Sequence, residues 1–346
     1  MVKAIGNELI LQKSFLQGEE IQTIYFGGGT PSLLAVHELH EILETIFKIH
    51  NVNSNTEITL EANPDDLTPE KIKGFKNSGI NRLSIGIQSF QDDLLKFLNR
   101  THNSHSGISA YQQARDGGIN NISIDLIYAI PGLEDHRWKK DIQQAIALEP
   151  EHISCYSLTI EEKTVFGKWA SSGKLNPVDD EISARQFEMV MNMLEEGGYL
   201  HYEISNFAKP DYYSRHNSSY WKQENYLGIG PSAHSFNTTS RQFNVRNNHL
   251  YLKAIQSGTV PAEIEILTRE NKINEYVLTT LRTHQGIDLS RITMDYQYDL
   301  LSNNSVYIHE LLDKGLANLG QNKLTLTRKG KLLADKIASD LFVQEA

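Results

Sequence analysis

Cysteine is almost absent from this chain, whose 346 residues include only Cys155. A single cysteine excludes an internal disulfide, and it excludes an iron–sulfur cluster held by three cysteines of the same chain. Cys155 follows Ser154 inside an apolar predicted strand, a setting in which cysteine behaves as a small core residue. We therefore expect Cys155 to be structural.

Long apolar runs and excess positive charge are also missing. No run approaches the roughly 18 apolar residues of a membrane span, and the first residues lack the small-residue cleavage site of a signal peptide. The net charge is −10, from 33 basic and 43 acidic residues, whereas nucleic-acid binding relies on Lys and Arg to neutralise phosphates. These absences predict a cytoplasmic protein that has no membrane span and binds no nucleic acid, and they leave a small-molecule ligand open.

The first 160 residues alternate between short β-branched runs and longer segments of helical periodicity. The predicted strands are 21–26, 57–61, 82–87, 122–127 and 152–158, and the predicted helices between them include 35–49, 69–78, 92–98 and 138–148. Such alternation indicates βαβ units with a parallel sheet, and right-handed crossovers curl that sheet towards a barrel. In these folds ligands bind at the carboxyl ends of the strands.

The alternation ends after residue 158. A helix is predicted over 181–196, followed by an irregular, aromatic-rich stretch to about residue 258. From residue 268 onward, three helices, a short strand at 324–327 and a last helix suggest a winged-helix-like unit. We expect three segments: a partial barrel at 1–165, a barrel extension at 166–260 and a C-terminal domain at 261–346. The basic run 328–331 is short and typical of a solvated helix start.

Polar and glycine residues follow the predicted strands where a ligand would bind. The first strand ends in Gly27-Gly28-Gly29-Thr30, and the later strand ends carry Glu61, Gln88 with Arg100 beyond it, and Asp125. Three glycines leave the backbone open to a ligand, although the spacing of a dinucleotide fingerprint is absent. Each charged residue could instead form a structural salt bridge, and Glu61 with Asp125 could form the acid/base pair of a hydrolase.

The motifs GGGTPS, LEANP, SIGIQSF, LNR and IDLIYAIPG, in this order, resemble the radical S-adenosylmethionine (SAM) barrel of the oxygen-independent coproporphyrinogen III oxidase family. The resemblance implies an α/β fold: a partial (β/α)6 barrel that lacks its first strand, followed by a winged-helix-like α+β domain. It also implies that SAM is held by a set of barrel residues together with two adenosine contacts, Ser157 and Ala233; the barrel set is Gly28, Gly29, Thr30, Glu61, Gln88, Arg100 and Asp125.

The family's Cys-x-x-x-Cys-x-x-Cys loop, which holds a [4Fe–4S] cluster, has no counterpart in these 346 residues. We expect the first strand and this loop to precede Met1 in a full-length protein, so that the cluster belongs to that longer chain alone.

A second motif, His216-Asn-Ser-Ser-Tyr220-Trp221, resembles the haem motif of the family's haem-chaperone branch. A neutral imidazole is a good axial ligand of haem iron, and aromatic rings offer flat apolar surface to a macrocycle. The resemblance implies that His216 binds the iron and that Tyr220 and Trp221 contact the haem. His216 could instead be a surface or capping residue. His234 is a second candidate, which could equally form a hydrogen bond at the barrel mouth.

The function that the resemblance implies is a haem chaperone, which binds haem and passes it to an acceptor protein. The alternative is the oxidase itself, which decarboxylates coproporphyrinogen III propionates through a 5′-deoxyadenosyl radical. An inert scaffold that has lost SAM cleavage is the remaining option.

Overall fold

The structure is a computed structural model, and it describes residues 1–344. The chain divides into two compact units. The first comprises Met1–Ile24, Leu34–Glu57 and the chain from Arg215 onward, and the second comprises Tyr25–Leu33 and Ile58–Ser214. The two strands near the N-terminus begin in the first unit and end in the second.

Residues before Arg215 contain eight α-helices and seven strands. In chain order they are α1 (Val2–Leu11), β1 (Ile21–Phe26), α2 (Val36–Ile49), β2 (Val52–Ala62), α3 (Pro69–Asn77), β3 (Arg82–Gln88), α4 (Asp92–Phe97), α5 (Ser104–Asp116), β4 (Asn121–Tyr128), α6 (Asp135–Ala147), β5 (His152–Ser157), α7 (Val165–Ser171), α8 (Asp180–Glu196), β6 (Leu200–Glu203) and β7 (Asn206–Ala208).

The seven strands form one sheet in the order β1-β2-β3-β4-β5-β7-β6. Parallel pairs join β2 to β3, β3 to β4 and β4 to β5, whereas β7 pairs antiparallel with β5 and β6. Leu83, Ile85 and Ile87 of β3 are fully buried, and because alternate residues of a strand share one face, they mark the face of the sheet that packs into the core. The predicted parallel α/β sheet is thus confirmed, and its strand ends define where a ligand could bind.

The remaining elements belong to the first unit. They are α9 (Arg215–Trp221), β8 (His234–Phe236), β9 (Ser240–Asn244), α10 (Asn248–Gln256), β10 (Ala262–Ile266), α11 (Arg269–Leu281), β11 (Ile287–Asp288), α12 (Leu289–Tyr296), α13 (Leu300–Asn303), α14 (Ser305–Asp313), β12 (Ala317–Gly320), β13 (Lys323–Leu326), α15 (Arg328–Lys331) and α16 (Ala334–Asp340). Strands β10-β9-β8 and β11-β13-β12 form two small sheets. The three predicted helices and the strand at 324–327 correspond to α11, α12, α14 and β13, whereas β11, α13 and β12 were not predicted.

A buried carboxylate organises the first unit. Glu8 of α1 has no exposed surface. Its two oxygens accept hydrogen bonds from Gln12 Nε2 (2.9 Å), Asn244 Nδ2 (2.6 Å), Gly230 N (2.8 Å) and Tyr251 OH (2.6 Å). A buried carboxylate is tolerated when several donors satisfy it. Glu8 therefore joins α1 to β9, to α10 and to the loop that contains Gly230.

The stretch predicted as irregular, from residue 199 to 258, contains six elements: β6, β7, α9, β8, β9 and α10. Strands β6 to β9 are three to five residues long, too short for an alternating pattern to stand out.

Among the described residues, no helix combines the length and apolar character that a bilayer-crossing segment requires.

Candidate functional site

Glu61 lies at the end of β2, where it meets the glycine turn after β1. Its Oε1 accepts a hydrogen bond from Tyr25 OH (2.7 Å), and its Oε2 accepts one from Gly28 N (3.1 Å). Gly28 and Gly29 have φ angles of +76° and +60°, and nothing lies within 4 Å of a Cβ built on either. The left-handed backbone explains the need for glycine, and the open space beside it is accessible to a ligand.

Gln88 and Arg100 converge on Gly86 of β3, the strand that ends at Gln88. A Cβ on Gly86 would lie 2.8 Å from both Arg100 Nη2 and Gln88 Nε2. Arg100 Nη2 also donates to Gly86 O (3.1 Å) and Asn63 Oδ1 (3.3 Å), and burial lowers the pKa of its guanidinium. Gly86 therefore gives the two side chains room to meet over the strand end.

The buried carboxylate of Asp141 fixes the loop that follows β3. Ser89 Oγ and Gln91 Nε2 donate to the two oxygens of the buried Asp141, at 2.6 and 2.9 Å. Gln88, at φ +67°, precedes this fixed segment. A polar residue with positive φ stores backbone strain that the surroundings must offset, and the contacts to Asp141 do so.

Asp125 lies on β4, partly buried beneath the strand ends. Ser84 Oγ donates to both of its oxygens at 3.2 and 3.3 Å. Burial, together with the negative charge of Glu61, raises the pKa of Asp125 to about 6, although hydrogen bonds from Ser154 and Ser84 and the nearby Arg82 oppose the rise. Two carboxylates close enough to interact favour a cationic ligand group between them.

Ser157 ends β5 and lines a cavity of about 450 Å³ in the second unit. Its Oγ lies 3.5 Å from Ser183 Oγ, and Ala129 and Leu158 also line the space. Thr30 is partly buried at the end of the glycine turn. All the predicted barrel residues thus belong to the second unit, whereas Ala233 belongs to the first, in a turn where its N–H donates to Gly230 O (3.2 Å).

The second cluster centres on His216, at the start of α9. Glu57 Oε1 accepts from His216 N (3.0 Å) and Oε2 accepts from Arg215 N (3.2 Å). The Arg215 guanidinium donates to Asn55 O (2.6 Å) and Gln22 Oε1 (3.0 Å). Strands β1 and β2 therefore fix the helix that carries the His-Asn-x-x-Tyr-Trp motif.

Both ring nitrogens of His216 face hydroxyl groups. Nδ1 lies 2.9 Å from Thr23 Oγ1, and Nε2 lies 3.0 Å from Tyr220 OH. The Tyr220 ring meets the His216 ring edge-on, with centroids 5.0 Å apart, and it meets Tyr226 in the same way at 4.7 Å. The cluster thus combines an oriented imidazole with a series of aromatic rings.

Trp221 contributes an indole with an unused donor. Its Nε1 is buried and has no hydrogen-bond partner among the described residues, and the Arg282 guanidinium lies 5.8 Å from the ring centroid. His234 is exposed at the start of β8, with its ring edge-on to Phe243 at 4.9 Å. Hydrogen bonds from neighbouring side chains orient the ring of His216. This favours His216 over His234 as the iron ligand.

Several residues of these clusters were not predicted from the sequence. An isolated glycine within a strand signals close approach of another group, so Gly86 could have been identified. Tyr25, Thr23 and Glu57 carry no such signal, since their partners lie far away in the sequence.

The described residues offer no site for an iron–sulfur cluster. They contain no group of three or more His, Cys, Asp or Glu side chains placed to hold a metal ion. Cys155 is 1% exposed, and burial together with the charge of Asp125 raises the pKa of its thiol. No chemical step through a cluster is therefore assigned to these residues.

The family model of the radical SAM superfamily matches residues 8–145 of this chain, the part that includes the glycine turn, Glu61, Gln88, Arg100 and Asp125. Family membership implies SAM and a [4Fe–4S] cluster as cofactors. More specifically, the chain belongs to the haem chaperone HemW family. It is 35% identical to heme chaperone HemW of Bacillus subtilis over 338 residues, covering 97% of this chain and 89% of the relative.

A second relative agrees with this assignment, and a solved structure shares the fold. Heme chaperone HemW of Lactococcus lactis is 33% identical over 344 residues, covering 99% of this chain and 90% of the relative. Coproporphyrinogen III oxidase (HemN) of Escherichia coli shares the fold, with a TM-score of 0.80 and 21% identity over 99% of this chain and 82% of that one. At that identity the likeness concerns the fold alone.

Proposed function

We propose that this chain is a haem chaperone, which binds haem through His216 and passes it to an acceptor protein. The observation that carries the proposal is the imidazole of His216, which stands at the start of α9 with each ring nitrogen set against a hydroxyl. A neutral imidazole oriented by neighbouring groups is a typical iron ligand. Tyr220 and Trp221, on the same helix, offer aromatic surface for the macrocycle.

The name of the relatives, heme chaperone, supports the same cargo. Delivery requires that haem also leave, so an iron ligand on a short, partly exposed helix suits a carrier better than a deeply buried pocket would.

The strand ends of the second unit are proposed to bind SAM. Glu61 and Asp125 suit its cationic amino group, Arg100 suits its carboxylate, and Gln88 and the amides of Gly28, Gly29 and Thr30 supply hydrogen bonds. Ser157 is the proposed contact of the adenosine within this unit. The room that Gly86 leaves for Gln88 and Arg100 supports this assignment. When bound, SAM supplies an activated sulfonium centre.

Haem titration tests the chaperone assignment. His216→Ala should shift the Soret band and weaken haem binding about tenfold or more, because the iron loses its protein ligand. His234→Ala is the matched control, since it removes an exposed histidine of the same unit, and Cys155→Ala controls for thiolate ligation. Titrations of His216→Ala and wild type that superimpose would remove the main support for the proposal.

Calorimetry tests the SAM site separately. Asp125→Ala should weaken SAM binding by about tenfold or more, because a charge-assisted hydrogen bond to the amino group is lost. Equal heats for the two proteins would show that the strand ends are not a nucleoside site.

A further inference from the structure

The two hydroxyl groups around His216 differ in how firmly the structure holds them. Thr23 lies on β1, where its side chain is partly buried within a regular strand. Tyr220 lies in the last turn of the seven-residue helix α9 and is 36% exposed. The contact at Nδ1 is therefore fixed by a strand, whereas the contact at Nε2 depends on a side chain that can rotate towards solvent.

The chemistry of the two hydroxyls favours one tautomer of the imidazole. A phenol is the stronger acid and the better donor, and an aliphatic hydroxyl oxygen is the better acceptor. The favoured arrangement has Nδ1–H donating to Thr23 Oγ1 and Tyr220 O–H donating to the lone pair of Nε2. In this tautomer the nitrogen that an iron would take is the one that Tyr220 occupies.

We propose that Thr23 positions His216 for haem iron, and that the Tyr220 hydroxyl is a displaceable donor that occupies Nε2 until the iron replaces it. This inference rests on the proposed haem function. The exchange balances without a proton transfer: the O–H···N hydrogen bond breaks, the Fe–Nε2 bond forms with the same lone pair, and Nδ1 keeps its proton on Thr23. Tyr220 rotates to bond with water instead.

The geometry of the Tyr220 side chain supports a displacement. Rotation about the Cα–Cβ bond of Tyr220 moves the ring and its hydroxyl together away from Nε2, and a residue that is 36% exposed can make this movement towards solvent.

The consequence is an affinity set for delivery. The hydrogen bond from Tyr220 to Nε2 must break when haem binds, which weakens haem binding. The same bond forms again when haem leaves, which favours release to an acceptor. The Thr23 contact acts in the opposite sense, because a second partner on the far nitrogen orients a metal-binding histidine and raises its basicity.

The tautomer is tested first without haem. Nitrogen-15 correlation spectra of the apo protein, compared with those of His216→Ala, should show a protonated Nδ1 and an unprotonated Nε2 for His216. Thr23→Val should remove this preference, and Thr23→Ser should retain it. A His216 protonated at Nε2 in the wild type would overturn the proposed roles.

Haem binding then separates the two hydroxyls. Tyr220→Phe should bind haem about threefold to tenfold more tightly, because no hydrogen bond must break, and haem loss to apomyoglobin should slow. Tyr226→Phe is the matched control and should leave both unchanged. Thr23→Val should weaken binding about tenfold and lower the Fe–His stretching frequency of the ferrous complex, and Thr23→Ser should restore both.

The outcomes distinguish this inference from the function on which it rests. If His216→Ala binds haem as the wild type does, the haem assignment itself fails. If His216→Ala loses haem while Tyr220→Phe binds no more tightly than Tyr226→Phe, or Thr23→Val keeps the wild-type stretching frequency, the assignment stands and the roles of the hydroxyls are wrong.

Discussion

Asp125 is the residue at which binding and stability oppose each other. Its pKa rises from 3.8 to about 6 on folding, chiefly through burial. A carboxyl with a raised pKa favours the folded state most below the unfolded pKa, and that contribution is lost as the pH rises through the folded pKa. At neutral pH the charged Asp125 therefore destabilises the apo protein.

Asp125→Asn should stabilise the apo protein at pH 7.5, by up to about 3 kcal/mol for a two-unit shift, and weaken SAM binding at the same time. The gain in stability should shrink as the pH falls from about 6 towards 3.8. Urea unfolding of both proteins at pH 7.5 and 5 measures it. A stability difference that does not change between these pH values would contradict the assigned pKa.

At this scale the sequence predicted the residues that end a strand and missed those that support them. Glu61 lies on β2 and Asp125 on β4. Because the carboxyl ends of parallel strands lie at the same edge of a sheet, the two residues were expected to lie near each other. Tyr25 could not be predicted, since its bond to Glu61 depends on the rotamers of both side chains. The roles assigned to Ser157 and Ala233 remain predictions.

Helix α9 depends on a single side chain from elsewhere in the sequence, that of Glu57. Its seven residues are too few to form a stable helix alone, and the Glu57 carboxylate accepts its first two backbone N–H groups. The helix and its haem motif are therefore held in place by strand β2.

Glu57→Ala should lower the free energy of unfolding by about 1–2 kcal/mol, as the loss of a helix cap does, and weaken haem binding because His216 is no longer held. Glu57→Gln keeps one acceptor and should have the smaller effect on both. Thermal unfolding and Soret titration measure the two effects. Full haem affinity in a destabilised Glu57→Ala would show that α9 holds His216 without the cap.

Element prediction succeeded where the periodic pattern was long. Strand β1 was predicted with its observed bounds, and β3, β4 and β5 within about one residue. Helix α5 was missed, because the residues it buries include the small Gly107, Ala110 and Ala114, which give a weak apolar pattern. The short strands β6 to β8 were missed because three or four residues show no reliable alternation.

For the whole molecule, the single cysteine sets the expected spectrum. Reconstitution of this 346-residue chain with iron and sulfide should give no stable thiolate-cluster band near about 400 nm and no 5′-deoxyadenosine from SAM. Absorption spectra and product chromatography measure these, with Cys155→Ala as the control. A stable band that Cys155→Ala abolishes would show that this buried thiol can ligate iron.

The division of the chain into two compact units could not be predicted from the sequence. The three predicted segments follow one another along the chain, whereas the first unit draws on three separate stretches of it. Composition and periodicity report on neighbours in sequence, and only packing shows that the N-terminal helix belongs with residues beyond Arg215.

The four hydrogen bonds to Glu8 should make the N-terminal helix, β9 and α10 open together in hydrogen exchange of their backbone amides. The Gly230 amide donates directly to this carboxylate, so it can exchange its proton with solvent only when α1, β9 and α10 separate from the buried charge. Exposing the charge by local fraying would leave four donors unsatisfied at once. The Gly230 amide and the amides of α1 should therefore exchange in deuterated water at one shared, slow rate.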